Sequence, residues 1–126
     1  MHQGIVWLFG VALALLAGIA PTWAQNMADG KKLYATYCSS CHGEKGKGDG
    51  AAARSLPVKP ADHTNGAVMS QFSDKFLVDV IAKGGNAVGK SSLMPAWGSQ
   101  LKDDQIRDII AYLRSIANPA TKGPGK

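Results

Sequence analysis

The sequence predicts an all-α fold on three grounds. Three stretches carry apolar residues at helical spacing, and no stretch reads as a convincing strand. The third ground is a long aperiodic segment, residues 43–71, between two of those helices. A structureless loop of that length is unusual in a compact domain, and a large non-protein group at the centre of a helical fold would explain how it is held. The chain has 126 residues and a formal net charge of +5, room for one domain.

The first segment reads as a targeting leader. Ile5 to Ala20 is apolar and uncharged, and is followed by Pro21, Thr22, Trp23, Ala24 and polar Gln25. A secretory signal has such a core and ends in small residues, so cleavage is expected after Ala24. Met1 to Gly4 lacks Lys and Arg, a departure from the pattern, and a retained membrane anchor is the alternative, although the run is shorter than the roughly 20 residues that span a bilayer. The expected domains are a leader over 1–24, a helical domain over 25–118 and a flexible tail over 119–126. All fourteen Lys and Arg and all nine acidic residues follow Ala24, so the mature chain keeps its full +5. A domain of about a hundred residues buries little surface and often needs a staple, a metal or a cofactor.

The first helix is expected over about Met27 to Tyr37, with Asn26 as cap and Leu33, Tyr34 and Tyr37 on one face. The second runs from about Ser73 to Lys83. Ser73 is its N-cap, Phe76, Leu77, Val80 and Ile81 form its apolar stripe, and Gly84-Gly85 stops it. The third, Lys102 to Ala117, carries Ile106, Ile109, Ile110, Leu113 and Ile116 on one face, with Asp103 and Asp104 near its N-terminus. Asn118-Pro119 ends it.

The two cysteines lie in Cys38-Ser39-Ser40-Cys41-His42, at the end of the first helix. This is the c-type haem attachment spacing. Two thiols three residues apart can reach two vinyl groups on one side of a porphyrin, and the adjacent imidazole can turn under the ring to iron. A thioredoxin-like pair would follow a strand and precede a helix. A structural zinc site would want four ligands, and a disulfide between Cys38 and Cys41 would explain nothing else in the chain. Haem c, with Cys38 and Cys41 as covalent attachment points and His42 as one axial ligand, is the expectation.

Iron's sixth position has four candidate states: Met94, Met69, His63, or open. Met94 is favoured because it lies in a loop outside any helical stripe, in Leu93-Met94-Pro95-Ala96-Trp97-Gly98, where proline stiffens the backbone beside it. Met69 reads equally well as ordinary packing and His63 as a surface or hydrogen-bonded histidine. Methionine opposite histidine raises the reduction potential. Two protein ligands would leave iron no position for substrate, so electron transfer rather than catalysis is expected.

With these pieces the sequence resembles the class I cytochromes c, in the small bacterial monohaem group. The resemblance rests on Gly30-Lys31-Lys32-Leu33-Tyr34, Cys38-Ser39-Ser40-Cys41-His42-Gly43, Leu56-Pro57, Met94-Pro95 and the last helix. It implies the cytochrome c fold, in which helices wrap one covalently bound haem and the first and last helices cross. Gly30 would sit at that crossing with Tyr34 beside it, facing Ile109, Tyr112 and Leu113. It implies a proline carbonyl that accepts a hydrogen bond from the ligand histidine, matched by Pro57 or else Pro60. It also gives Trp97 the place of an aromatic lining the haem pocket, with an ordinary core residue as the alternative.

The implied function is one-electron transfer in the periplasm, between respiratory or dehydrogenase donors and a terminal oxidase or reductase. The alternatives are a haem subunit of a dehydrogenase complex and an open-site haem enzyme or gas sensor. A monomer is expected. The charge of +5 suggests donor and acceptor proteins with acidic docking surfaces, and Lys45, Lys47, Lys83 and Lys90 are candidates to ring an exposed haem edge. No basic run with interleaved aromatics suggests nucleic acid.

Overall fold

The computed structural model describes residues 23–120 and 122–124. The expected leader lies outside these residues up to position 22. Among the described residues no helix is long and apolar enough to cross a membrane.

Five helices follow in order: α1 (Trp23–Tyr37), α2 (Ser39–His42), α3 (Gly66–Met69), α4 (Asp74–Lys83) and α5 (Asp103–Ile116), with single 3-10 turns at Ala51–Ser55 and Gly85–Val88. There is no strand among the described residues, only one isolated bridge between Asn65 and Asn118.

α1 begins four residues earlier than expected, so Asn26 falls inside the helix rather than capping it. The caps of α4 and α5 are local and chemical. Ser73 Oγ accepts from Phe76 N at 3.1 Å, and Gly84 at φ 83° ends α4 in a conformation that side chains disfavour. At α5, Lys102 N donates to Gln105 Oε1 at 3.0 Å, and two aspartates sit in the positive first turn.

α1 crosses α5 at backbone contact. A Cβ on Gly30 would overlap the Asp108 carbonyl, so this glycine buys the close approach at the cost of helix propensity, about 1 kcal/mol relative to Ala. Tyr34, 1% exposed, lies beside it with its ring 5.3 Å from that of Tyr112. Ile106, Ile109, Ile110 and Leu113 of α5 are buried, as are Leu77 and Ile81 of α4. Each such side chain contributes roughly 1.5–3 kcal/mol on leaving water. Phe76 and Val80, from the same expected stripe, are only half-buried and face a cleft.

Part of the hold on the aperiodic segment comes from its own backbone. Gly43, Gly46 and Gly48 all have positive φ, and the turns they allow aim amides back at the segment's start. Gly48 N bonds His42 O (2.8 Å), Gly50 N bonds Cys41 O (3.1 Å) and His63 N bonds Gly46 O (2.7 Å). Such bonds leave no periodic side-chain signal, so hydrophobic pattern could not reveal them.

Just after α5 the chain is tied back to the segment before α3. Asn118 N donates to Thr64 O and its carbonyl accepts from Gly66 N. Gly123 comes so close to Arg114 that a Cβ would sit 2.5 Å from Nη2.

Candidate functional site

Helix α1 delivers the cysteine segment into the core. Cys38 N bonds Tyr34 O at 2.9 Å, continuing the helical ladder, and Ser39 Oγ bonds Ala35 O at 2.6 Å. The chain then turns through α2, where His42 N bonds Cys38 O at 2.9 Å, and leaves at Gly43 with φ 84°. Cys38 and Cys41 are not joined in a disulfide, and Cys38 is buried.

Both cysteines and His42 open onto a cleft of about 560 Å³, within the roughly 300–1,000 Å³ typical of cofactor sites. Its walls are chiefly apolar: Phe76, Leu77, Val80 and Ile81 of α4, and Ile109 and Leu113 of α5. Val58 and Leu93 line it as well, although they are 61% and 52% exposed. Of the lysines expected around a haem edge, only Lys90 lies at this cleft, where it is joined by Lys59. Lys83 is engaged by Asp79 at 2.8 Å, and Lys45 and Lys47 line a separate polar hollow beside Glu44 and Asp49.

His42 Nδ1 donates to Ala61 O at 3.1 Å. That bond assigns the proton to Nδ1 and leaves the Nε2 lone pair free for a metal. Burial lowers the imidazole's pKa, which the Ala61 bond partly offsets, so the ring is held in its neutral, ligating form. The resemblance had assigned this carbonyl to Pro57, or else Pro60. The structure corrects both. Ala61 follows Pro60 directly, and exposed Pro57 is absent from the cleft lining. The acceptor is a backbone atom, so its position depends on how many residues the loop spends in the turn at Ala51–Ser55, which spacing alone does not tell.

His63 stands on the same side as His42, with ring centroids 4.3 Å apart and planes 19° from parallel. A ligand opposite His42 cannot come from there, which removes His63 as a sixth-position candidate. Burial lowers its pKa to about 3, with the adjacent His42 adding to the effect, and its Nδ1 is shielded from solvent without a hydrogen-bond partner.

Met94 and Met69 both line the cleft. Met69 is 1% exposed in the core, and its carbonyl is tied by Arg114 Nη1 at 2.6 Å. Met94 is half-buried in the loop before α5. That loop is seated on the glycine pair after α4. Gly85 N bonds Met94 O at 3.0 Å, and a Cβ on Gly85 would overlap the Ser91 carbonyl and press on Met94 Cβ. Trp97 lines the cleft and also packs edge-on against Tyr37 at 5.2 Å, so both readings of it describe the same placement.

Sequence reasoning missed Arg114. It is 8% exposed and its guanidinium bonds the carbonyls of Met69 and Phe72 and the Asp74 carboxylate, the last at 2.8 Å from Nη2. The signal was a cation directly beside Leu113 on an otherwise apolar face of α5. It ties the segment between α3 and α4 to α5 and so positions one wall of the cleft.

Two thiols, an imidazole with one nitrogen free, a thioether and apolar walls around one cleft fit a haem of the c type. Among the described residues no three His, Cys, Asp or Glu side chains converge on a metal site, which disfavours a zinc reading. The fold and cleft define a small c-type cytochrome. Residues 25–113 match the family described as cytochrome c oxidase, cbb3-type, subunit III, and the chain belongs to that family. It is 32% identical to a cytochrome c6 of Nostoc sp. over 88% of this chain and 89% of the relative. It is 28% identical to the cbb3-type oxidase subunit FixP of Azorhizobium caulinodans over 91% of this chain but only 40% of that protein. The solved c-type cytochrome KustC0563 shares the fold, with a TM-score of 0.58 at 20% identity, over 71% of this chain and 98% of that one. The chain is a monohaem c-type cytochrome electron carrier, and its cofactor is covalently bound haem c with iron.

Proposed function

We propose that this protein is an exported, periplasmic carrier. It takes one electron from a respiratory or dehydrogenase donor and passes it to a terminal oxidase or reductase, with no catalysis of its own. The single supporting observation is the convergence on one apolar cleft of Cys38, Cys41, His42 with its Nε2 free, and Met94. Bound haem supplies the ferric/ferrous couple. Cys38 and Cys41 would hold it as thioethers, each S–H adding across one vinyl group with no atom lost. His42 would hold the iron through Nε2 and Met94 through its sulfur. Two protein donors would leave little to rearrange between oxidation states and no open position for substrate.

Export rests on the apolar leader before Gln25. Docking rests on the exposed apolar pair Val58 and Leu93 with Lys59 and Lys90, a small mixed patch of the kind that makes brief encounters with an acidic partner. The family match favours a second reading, a subunit held permanently in a larger complex. Purification from the native cell separates the two as free monomer or stable assembly.

Visible spectroscopy with mass spectrometry of the native protein tests the site. The expected result is a mass equal to the chain from Gln25 plus one intact haem, with a six-coordinate low-spin ferrous spectrum that carbon monoxide leaves unchanged. A colourless protein of polypeptide mass would overturn the whole reading. A carbon monoxide shift would overturn Met94 and favour an open-site protein.

A further inference from the structure

We propose that His63 is a positioning residue: its ring, laid flat on His42, fixes the plane in which His42 presents Nε2 to iron. The inference rests on the reading of His42 as an axial ligand.

His42 has one side-chain hydrogen bond, from Nδ1 to Ala61 O at 3.1 Å. A single bond anchors one edge of the ring and leaves the ring free to rock about that anchor. The flat face of His63, 4.3 Å away and 19° from parallel, closes that remaining freedom. His63 can do this because it is itself held from three directions. Its amide bonds Gly46 O at 2.7 Å. The edge of Tyr34 meets its ring at 6.0 Å and 71°. Gly46 lies against it, the position of a Cβ there being at van der Waals distance, 3.4 Å, from His63 Cβ. Tyr34 is in turn pinned by its hydroxyl to Gly43 O at 3.0 Å. A chain of ring contacts, Tyr34 edge-on to His63 and His63 flat on His42, thus runs from the helix crossing to the cleft.

A bland packing role fits poorly. A buried ring nitrogen without a partner costs stability, and His63 Nδ1 is such an atom. An aliphatic residue would fill the space without that cost but would present no flat face. The plane of an axial imidazole relative to the porphyrin sets the magnetic anisotropy of low-spin ferric haem, so ring position can be read directly.

The test compares the ferric holo-protein with His63→Leu and His63→Phe by electron paramagnetic resonance, with unfolding midpoints measured alongside. His63→Leu should displace the largest g-value and broaden its line, and His63→Phe, which restores a flat face, should return it towards wild type whatever the two midpoints do. A His63→Leu spectrum that coincides with wild type, or a His63→Phe spectrum displaced as far as that of His63→Leu, would overturn the proposal. A wild-type ferric protein with no low-spin signal would instead sink the axial reading of His42, and this inference with it.

Discussion

Where α1 crosses α5, the chain packs against itself without intermediaries: Gly30 meets the Asp108 backbone, and Tyr34, Ile106 and Ile109 are at most 1% exposed. Across the cleft, the segments that carry Ala61 and Met94 are held differently. They rely on glycine turns and backbone bonds, and they leave Val58 and Leu93 largely exposed. The crossing is stabilised by apolar area and close packing, which the polypeptide supplies alone. The cleft walls are stabilised by polar ties that fix position while leaving a cavity of about 560 Å³ between them. The difference shows how one small domain separates stability from its site: one face closes tightly, and the other is braced open around a cofactor.

The sharpest way to break this comparison is Gly30→Ala. Its Cβ would meet backbone, which cannot step aside, so overpacking should cost about 2–3 kcal/mol even after the gain in helix propensity. Urea unfolding of the holo-protein should show the loss while the visible spectrum keeps its shape. A wild-type midpoint would mean that the helices do not touch there. Arg114→Leu probes the cleft side. It removes the guanidinium from the Met69 and Phe72 carbonyls and should cost about 2 kcal/mol in the same experiment. Unlike Gly30→Ala, it should also perturb the haem spectrum, because it loosens a cleft wall.

Gly85→Ala sharpens the contrast further. The added methyl would push the Met94 loop off its seat, with a stability cost of about 1 kcal/mol but a large spectroscopic change. Ferrous protein that resists carbon monoxide as wild type should becomes sensitive to it in the variant. Insensitivity in both would show that the glycine pair does not seat Met94.

The smallest effect belongs to the surface. Hydrogen bonds from Lys75 and Lys83 hold the Asp79 carboxyl at about 2, below its ordinary 3.8. A depressed acid favours the folded state above its ordinary value, and that contribution disappears as pH falls through about 2. A carboxyl carbon titration by NMR should therefore give a midpoint near 2 for Asp79. Asp79→Asn should lower the unfolding midpoint at neutral pH only slightly, since solvent screening leaves exposed pairs a small contribution.

Much of this was legible in the chain as letters. The stripe of Ile106, Ile109, Ile110 and Leu113 announced α5, Ser73 and Gly84 bounded α4, and Cys38-Ser39-Ser40-Cys41-His42 pointed to haem c. Each of these depends on neighbours within a few residues, where helical period and motif spacing are read directly. Tertiary structure alone decided that Ala61 rather than Pro57 faces His42, that His63 lies beside His42 instead of across from it, and that Lys59, not Lys45 or Lys47, reaches the cleft. All three depend on the path of residues 43–65, where glycines with positive φ turn the chain and backbone carbonyls do the binding. Every residue type carries the same carbonyl, so which one arrives at a given place is set by the folded path and not by the letter at that position.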